Sequence, residues 1–153
     1  MKVKDIMTRS LIRTKTGYTI NDICRFLLKH HLNSMPVVDN DRKILGIITK
    51  ADIFRAILPS YDEIYCETCA MDFEQIEERA HRAAQRKVED VMTSPVITVT
   101  EDTPVVKVGS MMLLKGIKQI PVVKNEKLIG MVTLTDVIEG LIISTPKTIE
   151  AKR

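Results

Sequence analysis

A chain of 153 residues has room for one compact unit, or for two small ones sharing a core. Apolar residues make up 44% and charged residues 28%, a balance ordinary for globular proteins, and the formal charge of +3 comes from bases and acids interleaved without a basic stripe. Aromatics are 4% with no Trp, so nucleic acid is not an expected partner and the core has to be built from Val, Ile, Leu and eight Met.

The opening Met1-Lys2-Val3-Lys4-Asp5 carries charge where a secretory leader needs an apolar run. No stretch approaches the roughly 18 apolar residues of a membrane span. Three Cys without a leader read as reduced thiols in a cytoplasmic protein.

Taken along the chain, the elements come twice. Val3-Lys4-Asp5-Ile6-Met7-Thr8 returns as Val88-Glu89-Asp90-Val91-Met92-Thr93. The β-branched runs 11–14 and 96–99 follow and predict short strands. Ile20, Ile23, Cys24, Leu27 and Leu28 recur at helical spacing behind Thr19 as N-cap. In the second copy Val105, Val108 and Met112 do so behind Thr103 as N-cap and Pro104 at the first helical position. A hairpin comes next. Pro36–Val38 and 44–48 flank the turn 39–43, as Pro121–Val123 and 128–132 flank a turn through Asn125. Helices over 51–58 and 135–143 close the copies.

The predicted fold is α/β (α+β), two repeats of β-α-β-β-α. A repeat this short buries too little surface to stand alone, so the two are expected to pack sheet to sheet about a pseudo-twofold axis, with symmetric clefts between them. The domains are then a first repeat over 1–58, a connecting segment over 59–87, a second repeat over 88–143 and a polar tail over 144–153. Within the connection, residues 72–87 are rich in Glu, Ala, Gln and Arg, with Phe73, Ile76, Ala80, Ala83 and Ala84 apolar, and predict a helix.

Chemistry concentrates in Gly-h-h-Thr-x-x-Asp, present as Gly46–Asp52 and Gly130–Asp136. A strand ends there and a helix begins. On residue chemistry alone the stronger account is a capping box, Thr covering the amide of the third helical residue and Asp returning the bond. The alternative is a ligand site, since a helix N-terminus beyond a strand accepts phosphate and a carboxylate accepts the two hydroxyls of a ribose.

This doubled motif, with h-Pro-h-h before it and Asp-h-Met-Thr at the opening of each copy, resembles the CBS motif. The chain as a whole resembles a stand-alone CBS-domain pair, or Bateman module, over nearly everything outside the connecting helix and the last ten residues. The resemblance implies a non-catalytic sensor that binds AMP, ADP, ATP or S-adenosylmethionine in clefts between the repeats, with Thr on phosphate and Asp on ribose. Carried over by position, the first site comprises Met7, Ile12, Leu32, Asn33, Ser34, Thr49 and Asp52. The second comprises Met92, Ile97, Ile117, Lys118, Gln119, Thr133 and Asp136. Lys118 can reach a phosphate, where Asn33 and Ser34 cannot supply a charge. A homodimer and a regulated protein are the partners implied. The alternative is a dimerising scaffold with degenerate pockets.

Other signals are weaker. Cys66-Glu67-Thr68-Cys69 is a lone CxxC with only His81 nearby, short of the four ligands a zinc site needs. His30-His31 sits at a helix C-terminus, where the dipole favours imidazole. No nucleophile stands in a recognisable catalytic setting, and neither a P-loop nor GxGxxG is present.

Overall fold

The computed structural model describes residues 1–58 and 72–143. A 3-10 turn (Val3–Asp5) precedes β1 (Thr14–Lys15), α1 (Ile20–Lys29), β2 (Ser34–Val38), β3 (Ile44–Thr49) and α2 (Lys50–Ile57). Then come α3 (Phe73–Ala84), α4 (Val88–Val91), α5 (Val105–Lys115), β4 (Gln119–Lys124), β5 (Lys127–Thr133) and α6 (Leu134–Ile138), which runs on into a π-type stretch, Glu139–Ile143.

Contacts gather into two compact units, and neither is a single repeat. The first-hairpin unit holds Ile12–Asn40 and Ile44–Val96, and so includes the opening segment of the second repeat. The second-hairpin unit holds Met1–Leu11, Asp41–Lys43 and the described residues from Ile97 to Ile143, and so includes the opening segment of the first.

In the first-hairpin unit the sheet order is β1-β2-β3, with β1 parallel to β2 and β2 antiparallel to β3. Its free edge is extended by Thr93, whose N–H and carbonyl pair with Ile47 at 2.9 and 3.1 Å. Ile20, Ile23, Leu27, Met35, Val37, Ile48 and Val88 form its core. Burying each such aliphatic side chain is worth about 1.5–3 kcal/mol. The helix α1 starts where the sequence predicts, with Thr19 and Asp22 in a capping box. Asp72 caps α3, which packs on α2 and α1.

In the second-hairpin unit β4 and β5 form an antiparallel pair through a two-residue turn, Asn125 and Glu126 at φ +51 and +64. Both central residues have positive φ, as a turn matched to strand twist requires. Thr8 pairs with Met131 on one edge at 2.9 and 3.0 Å, and Val99 bridges to β4 on the other. Val3, Val105, Val108, Met112, Ile120, Val122 and Val132 fill the core.

Three expectations need correcting. The strand predicted over 11–14 is only Thr14–Lys15, and its counterpart over 96–99 is a single bridge at Val99, because only those residues reach a neighbouring strand. Each repeat is thus led by a pairing of one or two residues. Thr103 does not cap α5. Its hydroxyl accepts from the Thr100 amide at 3.2 Å, closing a turn, and the N-cap falls on Pro104 without a side-chain bond. The α4 turn and the opening 3-10 turn were not foreseen.

Candidate functional site

Both Gly-h-h-Thr-x-x-Asp segments form the same turn, and both are capping boxes. Thr49 Oγ1 accepts from the Asp52 amide at 3.0 Å, and Asp52 Oδ2 accepts from the Thr49 amide at 3.0 Å. Thr133 Oγ1 accepts from the Asp136 amide at 3.1 Å, and Asp136 Oδ2 accepts from the Thr133 amide at 2.7 Å. The amide of the first helical residue is taken as well. Lys50 donates to the carbonyl of Asn33 at 3.0 Å and Leu134 to that of Lys118 at 2.8 Å. Those two carbonyls lie just before the h-Pro strands, so the carried-over positions Asn33 and Lys118 are fastened by backbone to the turn.

The threonines differ in what remains. Thr133 Oγ1 also donates to Asp136 Oδ2 at 2.8 Å, so its one proton is used inside the cap. The aspartates differ more. Asp52 is buried, and its Oδ1 accepts from Thr93 Oγ1 at 3.0 Å and from the Arg55 guanidinium at 2.9 Å. Arg55 itself is 68% exposed, so this ion pair is screened on one side. Asp136 is half-buried, and among the described residues no donor reaches its Oδ1.

The structure regroups the positional assignment. Met92 packs on Gly46, where an added Cβ would collide with its side chain, and so joins Ile12, Leu32, Asn33, Ser34, Thr49 and Asp52 in the first-hairpin unit. Met7 lies against Gly130, and so joins Ile97, Ile117, Lys118, Gln119, Thr133 and Asp136 in the second. The physical reason is the edge pairing of Thr93 with Ile47 and of Thr8 with Met131, which carries each opening segment to the other repeat's hairpin. Both glycines therefore serve a close approach of methionine to strand backbone. Ser34 is buried, Asn33 and Lys118 are exposed, and Ile12 and Ile97 are 38% and 36% exposed.

Two residues at the first turn went unnoticed in the sequence, Thr93 and Arg55. Arg55 stands three residues after Asp52 on a helix, a spacing at which side chains meet, and was legible on that ground. Thr93 belongs to the repeated opening segment, but its partner lies across the exchange of segments. The CxxC of Cys66 and Cys69 lies outside the described residues. Among the described residues no cluster of His, Cys, Asp or Glu could hold a metal, and no helix is long and apolar enough to cross a membrane.

Residues 3–59 and 88–143 match the CBS domain family model. The chain belongs to the CBS-domain family. An uncharacterized protein of Methanocaldococcus jannaschii is 35% identical over 156 residues, covering 93% of this chain and 92% of the relative. The L-aspartate semialdehyde sulfurtransferase of the same organism is 30% identical, but the chain spans only 22% of that enzyme's length. Among solved structures, the CBS domain pair of protein MJ0100 in complex with 5′-methylthioadenosine and S-adenosyl-L-methionine is 30% identical. It superposes with a TM-score of 0.68 over 90% of this chain and 92% of that one. The CBS pair predicted from the doubled motif, and its α+β fold, are borne out.

Proposed function

We propose that this CBS pair is a non-catalytic, cytoplasmic sensor that binds an adenosine-containing ligand at its Thr-x-x-Asp turns. The observation that carries this is a carboxylate at the first turn of both α2 and α6 whose capping duty falls on Oδ2, with Oδ1 outside the cap: at Asp136 no donor reaches it among the described residues, and at Asp52 it holds the exchangeable side chains of Thr93 and Arg55. A ribose diol supplies two donors suited to such an oxygen. The MJ0100 pair, solved with two adenosyl compounds, supports the same class of ligand here. Around the two turns the ligand-binding set is Ile12, Leu32, Asn33, Ser34, Thr49, Asp52 and Met92, and Met7, Ile97, Ile117, Lys118, Gln119, Thr133 and Asp136.

The residues do not single out a phosphorylated ligand. Thr133 has no proton to spare for a phosphate, and Lys118 is then the cation that serves one. AMP, ADP and ATP thus stand beside S-adenosylmethionine and 5′-methylthioadenosine. The related sulfurtransferase extends far beyond the segments it shares with this chain, which supports reading the CBS pair itself as the non-catalytic part.

A homodimer is part of the proposal. Leu113, Leu114, Ile142 and Ile143 are strongly exposed in the second-hairpin unit, and Leu28 and Phe54 flank an apolar groove in the first. Helix surface this apolar favours a protein partner. The same observation favours the second account, a dimerising scaffold whose pockets bind nothing. A thermal-shift panel of 5′-methylthioadenosine, S-adenosylmethionine, AMP, ADP and ATP separates the two. A sensor is stabilised by about 2.7 kcal/mol when its ligand stands at 100 times Kd. No shift with any of the five would leave the scaffold.

A further inference from the structure

The two turns agree bond for bond in their caps and disagree in what occupies the outer carboxylate oxygen. At Asp52 that oxygen accepts from a hydroxyl and from a guanidinium, at 3.0 and 2.9 Å. A carboxylate oxygen has two lone pairs, so both positions a ribose would use are filled. At Asp136 the corresponding oxygen receives no donor among the described residues. The cause lies in two substitutions of circumstance. Glu139 stands three residues after Asp136, where Arg55 stands three residues after Asp52, and an acid there cannot donate. Thr8 holds the strand-edge position matching Thr93, with the same backbone pairing to Met131, yet its hydroxyl forms no bond to Asp136.

We infer that Thr93 and Arg55 determine ligand preference between the two sites: they occupy the ribose acceptor of Asp52, so the Asp136 turn takes the first ligand and the Asp52 turn takes one only when Thr93 gives way. This rests on the ribose role proposed above for the aspartates. Thr93 is well placed for such control. Its backbone is fixed to Ile47, Ser94 Oγ donates to the Leu45 carbonyl at 2.9 Å, and Met92 lies against Gly46. A ligand at Asp52 therefore competes with a side chain that the segment 92–94 holds in place. Thr93 is exposed, so its hydroxyl can turn to water when displaced, and Arg55 can do the same. The contact weakens the site without abolishing it. Exchanging one or two hydrogen bonds to a charged group corresponds to a gap on the order of tenfold or more in affinity.

Calorimetric titration of the full chain with 5′-methylthioadenosine tests this. The expected isotherm has one tight site per chain and a second at least about tenfold weaker. Asp136→Asn removes the tight phase, because Asn keeps one oxygen for the cap and places a donor where the free acceptor was. Asp52→Asn leaves the tight phase intact. Thr93→Val with Arg55→Gln, both on exposed side chains, brings the weak site to within a few-fold of the tight one, with circular dichroism confirming an unchanged fold. Two equal sites in the parent chain, each lost with its own aspartate, overturn the ranking and leave adenosine binding standing. A tight phase lost with Asp52→Asn but kept with Asp136→Asn also overturns it. Absence of heat with every member of the ligand panel overturns the binding account itself, and the ranking with it.

Discussion

The first-hairpin and second-hairpin units are built on one plan. In each, a glycine in the second hairpin strand receives a methionine from the other repeat, a threonine caps the following helix, and an aspartate closes the cap. They diverge one bond further out. Asp52 is buried beneath Thr93 and Arg55, whereas Asp136 is half-buried with an oxygen that no donor reaches among the described residues. The lesson is that a repeated motif fixes the backbone turn, because capping needs only Thr and Asp at the right spacing. Availability for a ligand is set by residues outside the motif, on the same helix and on a segment from the other copy.

The largest difference between the units is expected at the glycines. The three atoms nearest an added Cβ at Gly46 all belong to the Met92 side chain, which is flexible. At Gly130 it meets Met7 Sδ at 2.9 Å and the Thr8 carbonyl oxygen at 3.1 Å, and backbone yields less. Gly130→Ala is expected to cost about 1–3 kcal/mol and to be relieved only in part by Met7→Ala. Gly46→Ala is expected to be relieved more fully by Met92→Ala. Urea denaturation of the four single and double variants checks this, and equal relief in both units would remove the role given to the Thr8 carbonyl.

A smaller difference is expected at the caps. Thr49→Ala and Thr133→Ala each lose an N-cap worth about 1 kcal/mol. Thr133→Ala should cost the more, because the Thr133 hydroxyl also donates to Asp136. Thermal denaturation of the two variants gives the order, and the reverse order would show the cap of α2 to be the stronger.

Much of this was legible in the sequence. The offset between the two copies located both hairpins and both closing helices, and the apolar spacing of Ile20, Ile23 and Leu27 marked the buried face of α1. The capping boxes were readable from Thr and Asp three residues apart. Other features depended on distant partners. The strands over 11–14 and 96–99 shrank because β-branched composition cannot say how far a neighbour's edge extends. Thr103 looked like a cap until Thr100 engaged its hydroxyl. Above all, position along the chain assigned Met7 and Met92 to their own copies, while strand-edge pairing delivers each to the other copy's hairpin. Thr93 at Asp52 is a consequence of that exchange, which no local pattern records.

The central claim is that an aspartate oxygen left free by its cap accepts a ribose hydroxyl. Its most direct test compares 5′-methylthioadenosine with its 2′-deoxy analogue on the parent chain and on Asp136→Asn. The account predicts that losing the hydroxyl weakens tight binding to the parent chain by about tenfold, the worth of a hydrogen bond to a charged group, and that Asp136→Asn shows no tight phase with either compound. Equal affinity of the parent chain for the two compounds would contradict it.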